Sequence, residues 1–324
     1  MIELKNDGLY FSFPEVHAKA RMNVSFQRTL RIPDDERTYF LPPGLGEFPL
    51  RHTDDFASTV PASWNEHGGV IMPMYQSEAM WIGFEGGEYP FAVKIAAGKI
   101  NAVTGEAWSN GLHDSPQDYV SVPEQPWLDG FCVEKGLIRQ FVAMPLGEGY
   151  TAEEQLEGKA EVGGLQVVVY PMKRELALKH LQSRETCRVA MCCRKLAEAS
   201  EMGLAPGGKM RQEIYEDEHG LDAWDLENGS RCFVHLANSK VWKNITGERP
   251  PQRAPTARDY ASAGLPWFNY YSESPALDGS NTLKKLKSVK QMGMDKGENP
   301  LPENESLEPI AVVELGKTKA VREF

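Results

Sequence analysis

The residues whose types and spacing suggest chemistry begin with Gly147, Gly149 and Ala152 in FVAMPLGEGYTAEEQLEG (141–158). They match the G-x-G-x-x-A spacing that cradles a dinucleotide pyrophosphate. Such a site needs a strand before the glycines and a helix long enough to cross a sheet after them. Here the helix starts at Thr151, with Glu154 as its capping-box partner, and Gly158 ends it after about two turns. Glu148, Glu153 and Glu154 also place negative charge where a phosphate would sit. The glycines therefore read as turn residues leaving a strand, and no cofactor is expected.

Histidine titrates near neutrality, which makes His67, His113 and His235 the candidates for proton transfer. His67 lies in NEHGGV (65–70), which has the His-Gly-Gly spacing of an esterase oxyanion loop, but no G-x-S-x-G nucleophile elbow occurs in the chain. EIYEDEHGLDAWDLENG (213–229) gathers Glu213, Glu216, Asp217, Glu218, Asp222 and Asp225, oxygen ligands of the kind a hard cation takes. An EF-hand register puts Tyr215 where the first carboxylate belongs. No H-x-H or H-x-x-x-H pair is present, so an acidic turn is the better reading and no metal is expected. Trp127 in QPWLDG and Trp267 in LPWFNYY are candidate sugar-stacking platforms. Each follows a proline among apolar residues, a setting in which an aromatic ring commonly pins a loop to the core.

Composition narrows the partners. Net charge is −11, from 35 basic and 46 acidic side chains, which argues against a nucleic-acid backbone. The one basic cluster, Lys284, Lys285, Lys287 and Lys290, is followed by Asp295, Glu298, Glu303, Glu305 and Glu308. No run approaches the roughly 20 apolar residues of a membrane span. Five cysteines without a C-x-x-C pair read as reduced, buried thiols. The first residues lack the layout of a secretion signal, so the expected compartment is the cytoplasm.

The elements that must position these groups are mostly strands. LYFSF (9–13), MNVSFQRTLRI (22–32) and VIMPMYQSEAMWIGF (70–84) have extended character, with Pro73 marking an edge or bulge. FAVKIAAGKINAVTGE and FCVEKGLIRQFVAM read as hairpins turning at Ala97-Gly98-Lys99 and Glu134-Lys135-Gly136. GLQVVVYP (164–171) is a continuous apolar run, as in a strand buried on both faces. From Arg174 to Met202 there is no glycine or proline, which predicts a helix stopped at Gly203. Strands are expected at KMRQEIYE and RCFVHLA, and a helix capped by Thr256 and Asp259 over ARDYASAG. Residues 291–308 read as a linker, and PIAVVELG (309–316) regains strand character. The expected fold is α+β and β-rich: antiparallel sandwich- or barrel-like sheets, one or two helices in the second half, and a C-terminal tail strand. The corresponding units are a β-rich domain (1–172), an α+β domain or extension packed on it (173–290), the linker (291–308) and the tail (309–324).

The phrases IRQFVAMPLGEGYTAEEQ, GGLQVVVYP, ITGERPP and GLPWFNYY resemble those of a group of uncharacterised soluble proteins with no assigned activity. The likeness spans roughly Val70 to Tyr271 and implies no catalytic residues. The expected function is non-enzymatic binding or self-assembly through sheet edges. A strand after a flexible linker must pair with an edge of its own body or of another chain, and Ile310, Val312 and Val313 would form that contact. The expected partner is a second copy or another protein. Two alternatives stand beside it: a hydrolase assembled from sequence-distant histidines and acids, and a sugar-binding β-module.

Overall fold

In the computed structural model, which describes residues 1–35, 37–183, 202–270, 272, 274–299, 301, 305–308 and 311–315, runs of β-branched and aromatic residues form strands that glycine and proline cut short. The strands that frame the body are, in chain order and leaving aside several short ones, β1 (Ile2–Lys5), β2 (Gly8–Ser12), β3 (Arg21–Thr29), β4 (Val70–Pro73), β5 (Ala79–Glu85) and β6 (Phe91–Ala97). They continue with β7 (Gly130–Glu134), β8 (Leu137–Pro145), β9 (Leu165–Pro171), β10 (Met202–Arg211) and β11 (Ser230–Ala237).

One run of the sheet, β1–β2–β3–β5–β8–β10, is antiparallel throughout. A second run, β6–β9–β11, is also antiparallel, and β4 joins it parallel to β11. Among the described residues, β10 and β11 link the two runs through one ladder pair, Met202↔Leu236. One hydrophobic core cluster takes Phe26, Ile82 and Phe141 from the first run and Val93, Val167 and Val234 from the second. The result is a β-rich, sandwich-like body whose two runs share one interior. The apolar run of β9 is buried along its whole length between β6 and β11.

The region after β9 departs from the sequence reading. A helix, α3, does start at Arg174 and is described to Ser183. Residues 184–201, with Cys187, Cys192 and Cys193, lie outside the described residues. Met202 does not end a helix; it begins β10, and Gly203, Pro206, Gly207 and Gly208 stand inside that strand. Packing explains residues that read as breakers. A Cβ on Gly207 would come 2.5 Å from the Val142 side chain, and one on Gly208 would come 2.3 Å from the Pro33 carbonyl oxygen. Here glycine is required by close approach, not by a turn.

Caps are placed as their chemistry dictates. α1 (Ala62–His67) precedes β4, and α2 (Ala152–Glu157) is closed by the Thr151–Glu154 capping box. α4 (Ser239–Thr246) follows β11 from an Asn238 cap, and α5 (Ala257–Ser262) carries the Thr256–Asp259 box. The stretch read as a linker opens inside a further helix, Val289–Asp295, which Ser288 and Gln291 cap reciprocally.

The tail strand, β13 (Val312–Leu315), pairs in parallel with β12 (Trp267–Tyr270) of the same chain. Phe268 of β12 in turn exchanges backbone hydrogen bonds with Leu41 (2.9 and 2.8 Å). Val312 and Val313 are therefore hydrogen-bonded into a ladder while their side chains stay partly exposed; Ile310 lies outside the described residues. Among the described residues no helix is long and apolar enough to cross a membrane.

Candidate functional site on the outer face of the sheet

The glycine motif builds a real anion cradle, and the chain fills it itself. Gly147 N and Gly149 N donate to Glu154 Oε1 at 2.7 and 3.0 Å, and Thr151 donates to Oε2 from its amide (3.1 Å) and its hydroxyl (2.7 Å). Burial pushes the Glu154 carboxyl upward, but the Gly149 amide, the Thr151 groups and the Gly147 amide outweigh it and hold the pKa below the ordinary value. The Glu153 carboxylate ties down the next loop, accepting from the amides of Glu161, Val162 and Gly163. Acidic residues that seemed to repel a phosphate are the ligands of the loop.

A different arrangement lies on the outer face of β6, β9 and β11. Alternation sends Val93, Ile95, Val167, Val169, Cys232 and Val234 into the core. The opposite parity puts Lys94, Gln166, Arg231, Phe233 and His235 on the outer side, and register brings Lys94 and Arg231 beside Val168, with Phe233 beside Gln166. The loop after β6 covers one part of this face with Trp108. Trp64 of α1 and Trp242 and Ile245 of α4 cover another part, packing on Ile71 and Ala237.

Arg231 stands exposed on this face. Its guanidinium lies 4.8 Å from the Trp108 ring centroid and 4.5 Å from that of Phe233, a doubly stacked cation. It also donates to Gln166 Oε1, and Gln166 is oriented by its own 2.6 Å bond to the Gly98 carbonyl. Among the described residues no carboxylate pairs with Arg231. A guanidinium carries its N–H donors in its own plane, the geometry that carboxylates and phosphates accept.

Beyond Trp108 sits a buried charge pair. Lys94, 1% exposed, donates to the carbonyls of Ser109 and Gly111 (both 2.9 Å) and pairs with Asp118 Oδ2 at 2.6 Å. Lys94 is thus neutralised and fully bonded within the protein, unlike Arg231. The other contacts of the Asp118 carboxylate go to His113: its amide to Oδ1 and its Nδ1 to Oδ2, each at 2.9 Å.

The sequence candidates fall into separate places. His113 meets a carboxylate. His67 and His235 lie together, with ring centroids 6.4 Å apart. His67 packs on Phe233 (4.5 Å) and donates from Nδ1 to the Ser63 carbonyl; His235 stacks on Trp64 and donates from Nε2 to the Gly68 carbonyl. Burial, with His67 adding a smaller push, lowers the His235 pKa to about 4, so it is a neutral core imidazole near pH 7. Trp267 is fully buried and offers no stacking face, and Trp127 is half-buried edge-on to Tyr270. Asp217 of the acidic turn accepts from Tyr119, Ser121 and Trp224, which ties that turn to the body.

Arg231, Phe233, Trp108, Lys94 and Asp118 escape a motif search because strand register and a loop bring them together. The alternation of Arg231, Phe233 and His235 in RCFVHLA is the signal that points to part of this face. Compared with known proteins, the chain matches no family model, no curated protein and no solved structure.

Proposed function

We propose that this chain is a binding protein that holds the carboxylate or phosphate of a small ligand on the outer face of β6–β9–β11. Arg231 carries the reading: it is exposed, stacked between two rings, anchored by Gln166 and unpaired with any described carboxylate in a chain of net charge −11. The surrounding aromatic rings favour a planar ligand body. An intracellular setting accords with Cys132 and Cys232, both buried free thiols. Isothermal titration with benzoate tests the proposal. Wild type binds, and Arg231→Ala weakens binding by about tenfold or more, the usual worth of a hydrogen bond to a charged group. Equal benzoate affinity in the two proteins counts decisively against it.

A second reading, self-association through the tail, is favoured by β13. Its Val312, Val313 and Leu315 keep 37–39% of their surface exposed on a two-stranded sheet. Removing residues 292–324 and comparing mass in solution tests this reading. An unchanged number of chains per particle removes it.

A further inference from the structure

We propose that this face also hydrolyses small esters that carry an anionic group, with His113 as general base, an inference that rests on the anion-binding reading of Arg231. An ionised Asp118 carboxylate can only accept, so His113 Nδ1 carries the proton of that bond, and in the neutral imidazole that tautomer leaves the Nε2 lone pair to accept another. The His113 side chain is 52% exposed, whereas that of Asp118 is 5% exposed, and its Oδ2 is shared by His113 Nδ1 and Lys94 Nζ. An outward imidazole base, oriented from behind by a buried carboxylate, is the arrangement that general-base catalysis uses.

Ser109 is not the nucleophile. Its Oγ lies 3.5 Å from Nδ1, the nitrogen already committed to Asp118, so water takes that role. Trp108 lies against both Lys94 Nζ (5.1 Å) and the Arg231 guanidinium (4.8 Å), so one ring touches the anion anchor and the lysine whose partner, Asp118, also bonds His113. In the reaction the water oxygen bonds to the acyl carbon as its proton passes to His113 Nε2. The tetrahedral adduct then breaks its bond to the alcohol oxygen, which receives that proton. Acid and alcohol leave, and nothing is oxidised or reduced.

Asp118 also closes its own loop, its amide donating to the His113 carbonyl at 3.0 Å, so a variant at Asp118 confounds folding with chemistry. The test is made at His113 with the full chain. The probe is 4-acetoxybenzoate, whose release of 4-hydroxybenzoate is followed by absorbance, with phenyl acetate as the uncharged control. Wild type is expected to exceed the buffer rate. His113→Gln should lower kcat about 100-fold or more while benzoate affinity stays unchanged. Ser109→Ala should retain kcat, and Arg231→Ala should raise KM for 4-acetoxybenzoate but not for phenyl acetate. Benzoate binding without turnover of 4-acetoxybenzoate overturns hydrolysis alone, as does wild-type kcat in His113→Gln. Failure of benzoate to bind overturns the anion reading, and with it the hydrolysis of an anionic ester.

Discussion

Two regions of this molecule are organised for negative charge, and they differ in who supplies it. Around Gly147–Thr151, backbone amides converge on Glu154, a carboxylate of the same chain, and the donors are consumed by folding. On the outer face of β6–β9–β11, Lys94 has its internal carboxylate in Asp118, while Arg231 is given only a neutral amide and two rings. The difference separates structure from readiness to bind. A donor set with its own acceptor stabilises the fold, whereas a preorganised cation without one is available to a ligand.

Substitutions sharpen the contrast. The largest effect is expected at Lys94→Ala, which removes the lysine paired with the buried Asp118 carboxylate and should cost about 3–5 kcal/mol in denaturant unfolding. If instead the loss is under about 1 kcal/mol, the pair is not the fixed floor of the face.

Acid should act next. In the folded protein His235 titrates at about 4 against an ordinary 6.5, so the unfolded chain binds the extra proton between those values. Stability is therefore full above about pH 6.5 and falls as the pH drops toward about 4, by up to about 3 kcal/mol. His235→Phe should flatten that part of the stability–pH curve, and an unchanged slope would assign the acid sensitivity elsewhere.

Glu154→Ala comes third. Removing the shared acceptor of Gly147, Gly149 and Thr151 and one half of the α2 cap should cost about 2 kcal/mol, read by thermal or urea unfolding. Because the folded-state pKa of Glu154 is depressed, the stability it contributes is present above its unfolded pKa and lost as pH falls through the folded one. Arg231→Ala should be the mildest, below about 1 kcal/mol in stability, even though it weakens benzoate binding. A large destabilisation there would make Arg231 a structural residue and dissolve the contrast.

Much of the fold was legible locally. The two hairpins, the buried run of β9, the Thr151 and Thr256 capping boxes and the strand character of Val312–Leu315 all follow from period, turn residues and cap chemistry. β10 was illegible because its glycines answer to Val142 and Pro33, neighbours distant in sequence. For the candidate site, His113 was visible by type, but its carboxylate partner was not singled out. Arg231 and Trp108 meet only through the register of three strands and a loop. The Gly147 motif showed the reverse: its spacing was plain, and its meaning depended on where one glutamate side chain turned.

The single ladder pair that joins the two runs among the described residues, Met202↔Leu236, also bears on how the body comes apart. Two hydrogen-bonded fabrics that share an interior but scarcely any stitching respond differently to solvent entry and to mechanical load. Wetting of the common interior would release them together, whereas a tug along one fabric would reach the other through side-chain contacts, the connecting loops and the few backbone bonds at Met202.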